Sequence, residues 1–533
     1  MISKVGLILQ DFFHIISTKG RYSMRKLFMF LLLSICFFTA FALAAQTLVV
    51  AYMGDPIWFN PCAKTDDYGA AMNRNIFDQL VAQDVNYDLV PQLATSWEVS
   101  EDGKEYTFHL REGVKWHDGE AFTSRDVKYT LESIVNNKGA AYNNVAMITE
   151  VVCPDDYTAV VKLKDPYAPF IPFLAWYGTQ IMPAHLYEGT DWNDNPANQK
   201  PVGTGPFKFV EWIKGDHVTL TKNEEYWGEG PYVDRLIFKI IPDPNTALQA
   251  FLNGEADIDQ NRPGFNTLSI LKMNPEVNVV INPSPSRYYL GFNLTDPARP
   301  STNLKVREAI SCAINKQAIV DKVLGGFGGI GEYFYTPAIP WAIDTNVKAA
   351  LYDPAKADKL LDEAGYARGN DGWRFALDLL YFQGADWTDM AAVIKENLEK
   401  VGIKVNLGEY EIATWIEKVL NAHNYDIALL NGFQGPDPEN LTLRVSSAGG
   451  LNIMGYSNEV VDWNLSEAAK ISDIELRKPY YYAVQAQLAA DAPFVPLAEV
   501  SYIYIFKTYV EGMDIENPGK IGTGSYALTK LNF

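Results

Sequence analysis

The chain has 533 residues, too many for one ordinary core, and its 48% hydrophobic content is that of a globular protein built in two or more parts. A formal charge of −20 excludes nucleic acid as a partner, because phosphates want a basic stripe that this chain lacks. Six scattered histidines and four cysteines, with neither His-x-His nor Cys-x-x-Cys spacing, point to no metal centre, and no cofactor is expected.

The first element in chain order is a targeting signal. Arg25 and Lys26 precede an apolar run from Leu27 to about Ala42, and Ala42-Leu43-Ala44 supplies the small residues of a cleavage site. A membrane anchor would want about 20 apolar residues and a basic flank after them. Residues 1–44 therefore read as an N-terminal extension and a cleaved signal peptide, which places the mature protein in the periplasm. Met1 and Met24 are both open as starts. Ile35 precedes Cys36 where a lipidation site wants a small residue, so a lipoprotein is not expected. The remaining cysteines, Cys62, Cys153 and Cys312, allow one disulfide at most and make no disulfide framework.

From 47 to about 290 the pattern is mostly strands and turns. Tyr106, Phe108 and Leu110 alternate with Thr107, His109 and Arg111 after Asp102-Gly103, which predicts a hairpin. Thr123 with Asp126 three residues on predicts a capped helix carrying Val127, Leu131 and Ile134. A further helix is expected around "PNTALQAFLNG". Near 300 the texture changes. Val306, Ile310, Ala313 and Ile314 share one helical face, and Asp353, Pro354 and Gly365 bracket another helix as N-cap, first residue and stop. A strand–helix–strand–helix–strand alternation from "WRFALDLLYF" to "YDIALLNGF" then implies a parallel sheet with right-handed crossovers.

Ligands of such sheets lie beyond the carboxyl ends of the strands. Two loops leave such ends: "YFQGAD", with Gln383, and the stretch from Asn431 to Asp437. Turn chemistry alone would also account for their Gly, Pro, Asn and Asp residues.

The string "LVPQLATSWEVSEDGKEYTFHLREGVKWHDGEAFTSRDVKYTLE" resembles the signature of the extracytoplasmic solute-binding proteins of family 5, the peptide/nickel-type receptors of ABC importers. "PVGTGPFKFVEW", "NEEYWGEGPYVDRLIFKIIPD", "ALQAFLNGEADID", "LKVREAISCAINKQAIV" and "DPAKADKLLDEAGY" follow in the family's order and span most of the mature chain. The resemblance implies an α/β, two-lobed periplasmic-binding-protein-like fold of type II, in the large cluster. Lobe I (45–290) would have mixed sheets, lobe II (291–495) a parallel sheet, and 496–533 would return to lobe I through the hinge. It also implies a monomer that captures a small solute, a peptide by family precedent, and delivers it to a permease–ATPase complex in the inner membrane, without enzymatic activity.

The resemblance assigns the ligand-facing residues too. Tyr52 and Asp55 follow the first mature strand, Gln260 follows "GEADID" together with Asn261, and Tyr288 lies with Tyr289 on the crossing segment. Trp415 and His423 match a pocket tryptophan and histidine, with Phe433 and Gln434 just beyond. Packing explains several of these as well, since Ile412, Trp415, Ile416 and Val419 have the spacing of a buried helix face. Peptide-binding members carry an aspartate where Gln434 stands, and it pairs with the ligand's ammonium. Gln has a carbonyl and two N–H donors but no charge. A buried ammonium needs an anion, so either Asp437 shifts in to supply one or the ligand's end is not a free amine. Arg444 is placed to meet a ligand carboxylate or a surface acid. An oligosaccharide receptor of the same family, a secreted hydrolase and a non-transport receptor stay open, although Gly-x-Ser-x-Gly and His-Glu-x-x-His are both absent.

Overall fold

The computed structural model describes residues 45–64, 67–84, 88–176, 178–261, 263–512 and 525–532. The signal segment, Cys36 and both candidate starts lie outside them. β1 (Thr47–Tyr52) enters the main sheet, and β2 (Val81–Gln83) pairs only with β3 (Leu89–Pro91). β4 (Ala94–Val99), β5 (Glu105–Leu110), β6 (Ile148–Asp155) and β7 (Thr158–Leu163) make a separate antiparallel sheet in the order β4-β5-β7-β6.

β5 buries Tyr106, Phe108 and Leu110 as the period of two requires, after a turn with Gly103 at φ +69°. The helix Ser124–Asn137 starts where Thr123 N donates to Asp126 Oδ2 at 2.9 Å, and it buries Val127, Leu131 and Ile134.

The main sheet unites both lobes. Lobe I supplies β8 (Phe207–Ile213), β9 (His217–Lys222), β10 (Arg235–Ile240) and β11 (Ile258–Asp259) beside β1. β12 (Val277–Phe292) then crosses to lobe II, which supplies β13 (Phe375–Phe382), β14 (Ile403–Tyr410) and β15 (Ile427–Phe433). β16 (Phe494–Lys507) crosses back, and β17 (Val510–Glu511) pairs with β18 (Lys530–Leu531). The ten strands run β14-β13-β15-β12-β16-β11-β1-β10-β9-β8. β13 is parallel to both β14 and β15, as the alternation predicts, while β15 meets β12 antiparallel. Asp353 Oδ1 accepts from Lys356 N at 2.9 Å to open the helix Pro354–Glu363, which Gly365 follows at φ +87°.

The second crossover helix is shorter than its apolar spacing predicts. It covers Ile412–Ile416 and passes into a π-helical turn over Glu417–Asn421. Trp415 and Val419 are buried there, but Ile412 and Ile416 face outward.

Alternation along the crossing strands sorts three cores onto two faces. Ile503 and Ile505 of β16, Leu290 of β12 and Leu429 of β15 join one core that continues across both lobes on one face. On the other face Val280 and Phe506 belong to the core of lobe I, whereas Tyr289, Leu430 and Phe494 belong to a separate core in lobe II. Between those two cores the crossing strands are polar, with Asn282, Ser284 and Ser286 buried. The β12–β16 register also breaks here, between Pro283 and Arg287 on one strand and Ser501 and Glu499 on the other. Both lobe crossings thus fall inside long strands, and positions 290/291 and 495/496 lie within β12 and β16.

Cys62, Cys153 and Cys312 are all free. Burial pushes the Cys62 thiol well up, so it is inert, and its Sγ donates to the Gln180 carbonyl at 3.1 Å.

Candidate functional site

Of the residues the sequence singles out, Gln434 lies on the polar strip where the lobes meet. β15 ends on it. Gln434 is 2% exposed; its N–H donates to the Pro285 carbonyl at 2.6 Å and its Nε2 to the Phe334 carbonyl at 3.4 Å. Its Oε1 is enclosed and accepts no hydrogen bond from the described residues. A buried acceptor left in that state costs about 1–3 kcal/mol unless a water or another donor reaches it. Asn282 Oδ1 on the strip and Asn261 Oδ1 at the end of β11 are in the same condition.

In lobe I, Tyr52 packs edge-on against Tyr68 and Phe238, each with centroids 5.8 Å apart. Gln260 Nε2 donates to the Tyr526 hydroxyl, and Asn261 Nδ2 to the Ile241 carbonyl at 2.7 Å. Burial pushes the neighbouring Asp259 carboxyl up to about 6, and its Oδ2 is also unpartnered. Asp55 is already engaged: Trp212 Nε1 donates to its Oδ1 at 2.7 Å, and Gly215 N reaches both oxygens at 3.0–3.1 Å. The structure makes it the clasp of the β8–β9 turn.

Lobe II divides its candidates between the two faces. Because Arg287 pairs with Gly432 and Tyr289 with Leu430, the odd residues of β12 share the face of Gln434. Tyr288 turns away and packs against Trp387 with centroids 5.2 Å apart, so Tyr289 is the crossing tyrosine on the strip side. Trp415 is buried against Phe382 at 4.4 Å with its Nε1 unpartnered. Gln383 is exposed beyond β13, its N–H donating to the Tyr410 carbonyl at 2.9 Å. His423 takes a left-handed φ of +47°, sets Nδ1 2.9 Å from the Ile453 carbonyl, and gives its own carbonyl to Asn293 Nδ2 at 2.7 Å. Those bonds tie two loops together. The backbone of Phe433 pairs with Ser286, and its side chain lies outside the described ones.

Asp437 corrects an expectation. Its two oxygens accept from Arg477 Nη1 and Nη2, both at 2.8 Å, with each side chain 4% exposed. One of them also accepts from Glu439 N at 3.0 Å. No small shift of the loop can free this carboxylate for an ammonium, because it would leave Arg477 buried and unpaired. Sequence reasoning missed Tyr526, 266 residues from its partner Gln260, and Asn282 in a strand that reads as ordinary β pattern.

Two lobes joined through two crossing strands, with buried polar groups awaiting a partner where they meet, define a ligand-binding protein that encloses its solute between lobes. The chain belongs to the bacterial extracellular solute-binding proteins, family 5, whose middle-region model matches residues 88–452. It is similar to di/tripeptide-binding protein 3 of Pseudomonas aeruginosa, at 31% identity over 86% of this chain and 90% of that protein. Among solved structures it resembles the oligopeptide-binding protein AppA of Bacillus subtilis in complex with a nonapeptide. There the TM-score is 0.74 and the identity 27%, over 91% of this chain and 99% of that one. It also resembles NikZ of Campylobacter jejuni in complex with Ni(L-His), with a TM-score of 0.76 and 29% identity over 88% and 95%. Among the described residues no group of three His, Cys, Asp or Glu side chains could hold a metal ion, and no helix is long and apolar enough to cross a membrane.

Proposed function

We propose that this chain is the periplasmic receptor of an ABC importer: exported through its signal peptide, monomeric and without chemistry of its own. It takes up a peptide between its lobes and presents the closed form to a permease–ATPase complex. Family membership and the peptide-binding relatives support the class of solute. The hinge of this reading is where β12 and β16 slip register, at Pro283–Arg287 and Glu499–Ser501. The observation that carries it is the unpartnered Oε1 of Gln434, buried on the strip between the two lobe cores. A carboxamide there accepts from an amide N–H or hydroxyl of the solute, and it offers no charge to a free ammonium.

Protein stripped of carried solute by denaturation and refolding tests this by thermal shift and calorimetry with short peptides. Gln434→Ala should weaken peptide binding about 5- to 30-fold, the worth of one buried hydrogen bond, with little change in the unliganded melting temperature. Undiminished affinity in that variant would remove Gln434 from the site. A wild type that answers oligosaccharides and no peptide would replace the solute class.

A further inference from the structure

Gln434 shares its face of β15 with Gly432 and Leu430, and Gly432 makes room for a cation. A Cβ at position 432 would stand 2.6 Å from both Nε and Nη2 of Arg444, so only glycine lets that guanidinium lie on the strand. Arg444 belongs to the turn of helix Thr442–Val445 and is half-buried. Its Nη1 donates to Asn440 Oδ1 at 3.0 Å and to the Asn440 carbonyl at 3.4 Å. It also meets the Tyr289 hydroxyl of β12, on the strip side of the sheet, through its charge and a side-chain hydrogen bond.

No carboxylate among the described residues pairs with it. Most inward arginines around it do have one, although Arg307 is likewise held by carbonyls alone, those of Ser301, Thr302, Asp491 and Ala492. Arg287 has Glu499, Arg299 has Asp426, Arg374 has Asp358 and Asp362, and Arg477 has Asp437. The chain carries 65 acids against 45 bases, so an acid was available in composition. Of the two acids in the preceding loop, Asp437 is held in both oxygens by Arg477, and burial pushes the Glu439 carboxyl up to about 8. Asn440 holds Nη1 and the Tyr289 hydroxyl is a further partner, and the N–H groups left over can donate to a carboxylate. The neighbouring position 434, meanwhile, holds a neutral amide.

We infer that Arg444 is an anion anchor, and that the solute is a peptide-like molecule docked at the end of β15 by a carboxylate, with no free ammonium read there. This rests on the receptor reading above and names the chemistry of the anchored end.

The test uses refolded, stripped protein and four probes by calorimetry: one dipeptide as its N-acetyl acid, its N-acetyl amide, its free-amine acid and its free-amine amide. In the wild type, amidation should weaken binding about 30-fold or more, while acetylation changes it little. Arg444→Gln should bring the acids down to the level of the amides, leaving amide binding and the melting temperature where they were. Arg444→Lys keeps the charge without the guanidinium and should retain an intermediate preference. A wild type that binds acid and amide equally leaves the receptor reading standing and overturns the anchor. So does Arg444→Gln with its preference for acids intact. If the wild type binds none of the four, the peptide reading itself falls, and the anchor with it.

Discussion

Replacing Asp437 by alanine should lower the unfolding free energy by about 3–5 kcal/mol, the loss expected when one member of a buried ion pair is removed. Arg477 is committed on every side. Beyond the two bonds to Asp437, its Nε donates to the Ala468 carbonyl at 3.1 Å and its Nη2 to the Tyr481 hydroxyl at 2.5 Å. The guanidinium also stands 5.3 Å from the ring centroids of Trp341 and Tyr481. Take away the carboxylate and a full charge stays enclosed with only carbonyl and hydroxyl partners. Urea unfolding of Asp437→Ala, Arg477→Met and the double variant would measure this. The double should lose less than the sum of the singles, because neither charge is then stranded. Were Asp437 instead the ligand's anion, Asp437→Ala would unfold near the wild-type midpoint and lose affinity. That pattern would return the loop to an ammonium-binding role.

The Asp437–Arg477 clamp also shows where a sequence stops being legible. Local chemistry could be read because its causes lie within a few residues. The Thr123–Asp126 cap, the Asp353-Pro354 helix start and the alternation of Tyr106, Phe108 and Leu110 each need only their neighbours, and each stands in the structure as read. The parallel strands β13, β14 and β15 followed from the spacing of strand and helix. Partners brought together by the fold leave no such trace. Arg477 lies 40 residues after Asp437 and Tyr526 lies 266 after Gln260, and neither has a local reason to be there. The lobe crossing was hidden for a different reason. Turn residues punctuate a sequence at loops, but here the chain changes lobe inside two long strands, and only the register slip beside Pro283 marks the place. Tyr288 and Tyr289 show the same limit at one-residue scale, because pairing parity with β15 decides which of them meets the strip.

Stability should fall as pH rises from about 5 to 8.5, and Glu439→Gln should remove most of that fall. Glu439 follows the clamp in the short turn Pro438–Leu441, with its Oε2 fully enclosed and unpartnered. Burial pushes its carboxyl up to about 8, and the charge of Asp437 adds to the rise. The Thr442 hydroxyl and then Arg477 oppose the rise, but that guanidinium is already spent on Asp437. With the folded value above the ordinary one, the native state holds a proton that the unfolded chain has released. Stability is therefore complete below about pH 4.5 and is lost as pH climbs through 8. A rise from 4.5 to about 8 sets the loss at roughly 2–5 kcal/mol, the lower part of that range allowing for the coupling to Asp437. Asp78 and Asp259, both pushed up to about 6 by burial, act in the same direction but have finished by pH 7. His117, pushed down to about 4 by burial, acts only on the acid side. Lys316, pushed down to about 8 by burial, acts in the opposite direction within the window from 7 to 8.5, so it is the difference between wild type and Glu439→Gln that isolates Glu439. Denaturation midpoints of wild type and Glu439→Gln should nearly coincide at pH 4 and diverge steadily above pH 6, with the variant the more stable. Parallel curves across that range would mean that Glu439 is ionised in the folded protein and that the enclosed turn beside the clamp has a counter-charge after all.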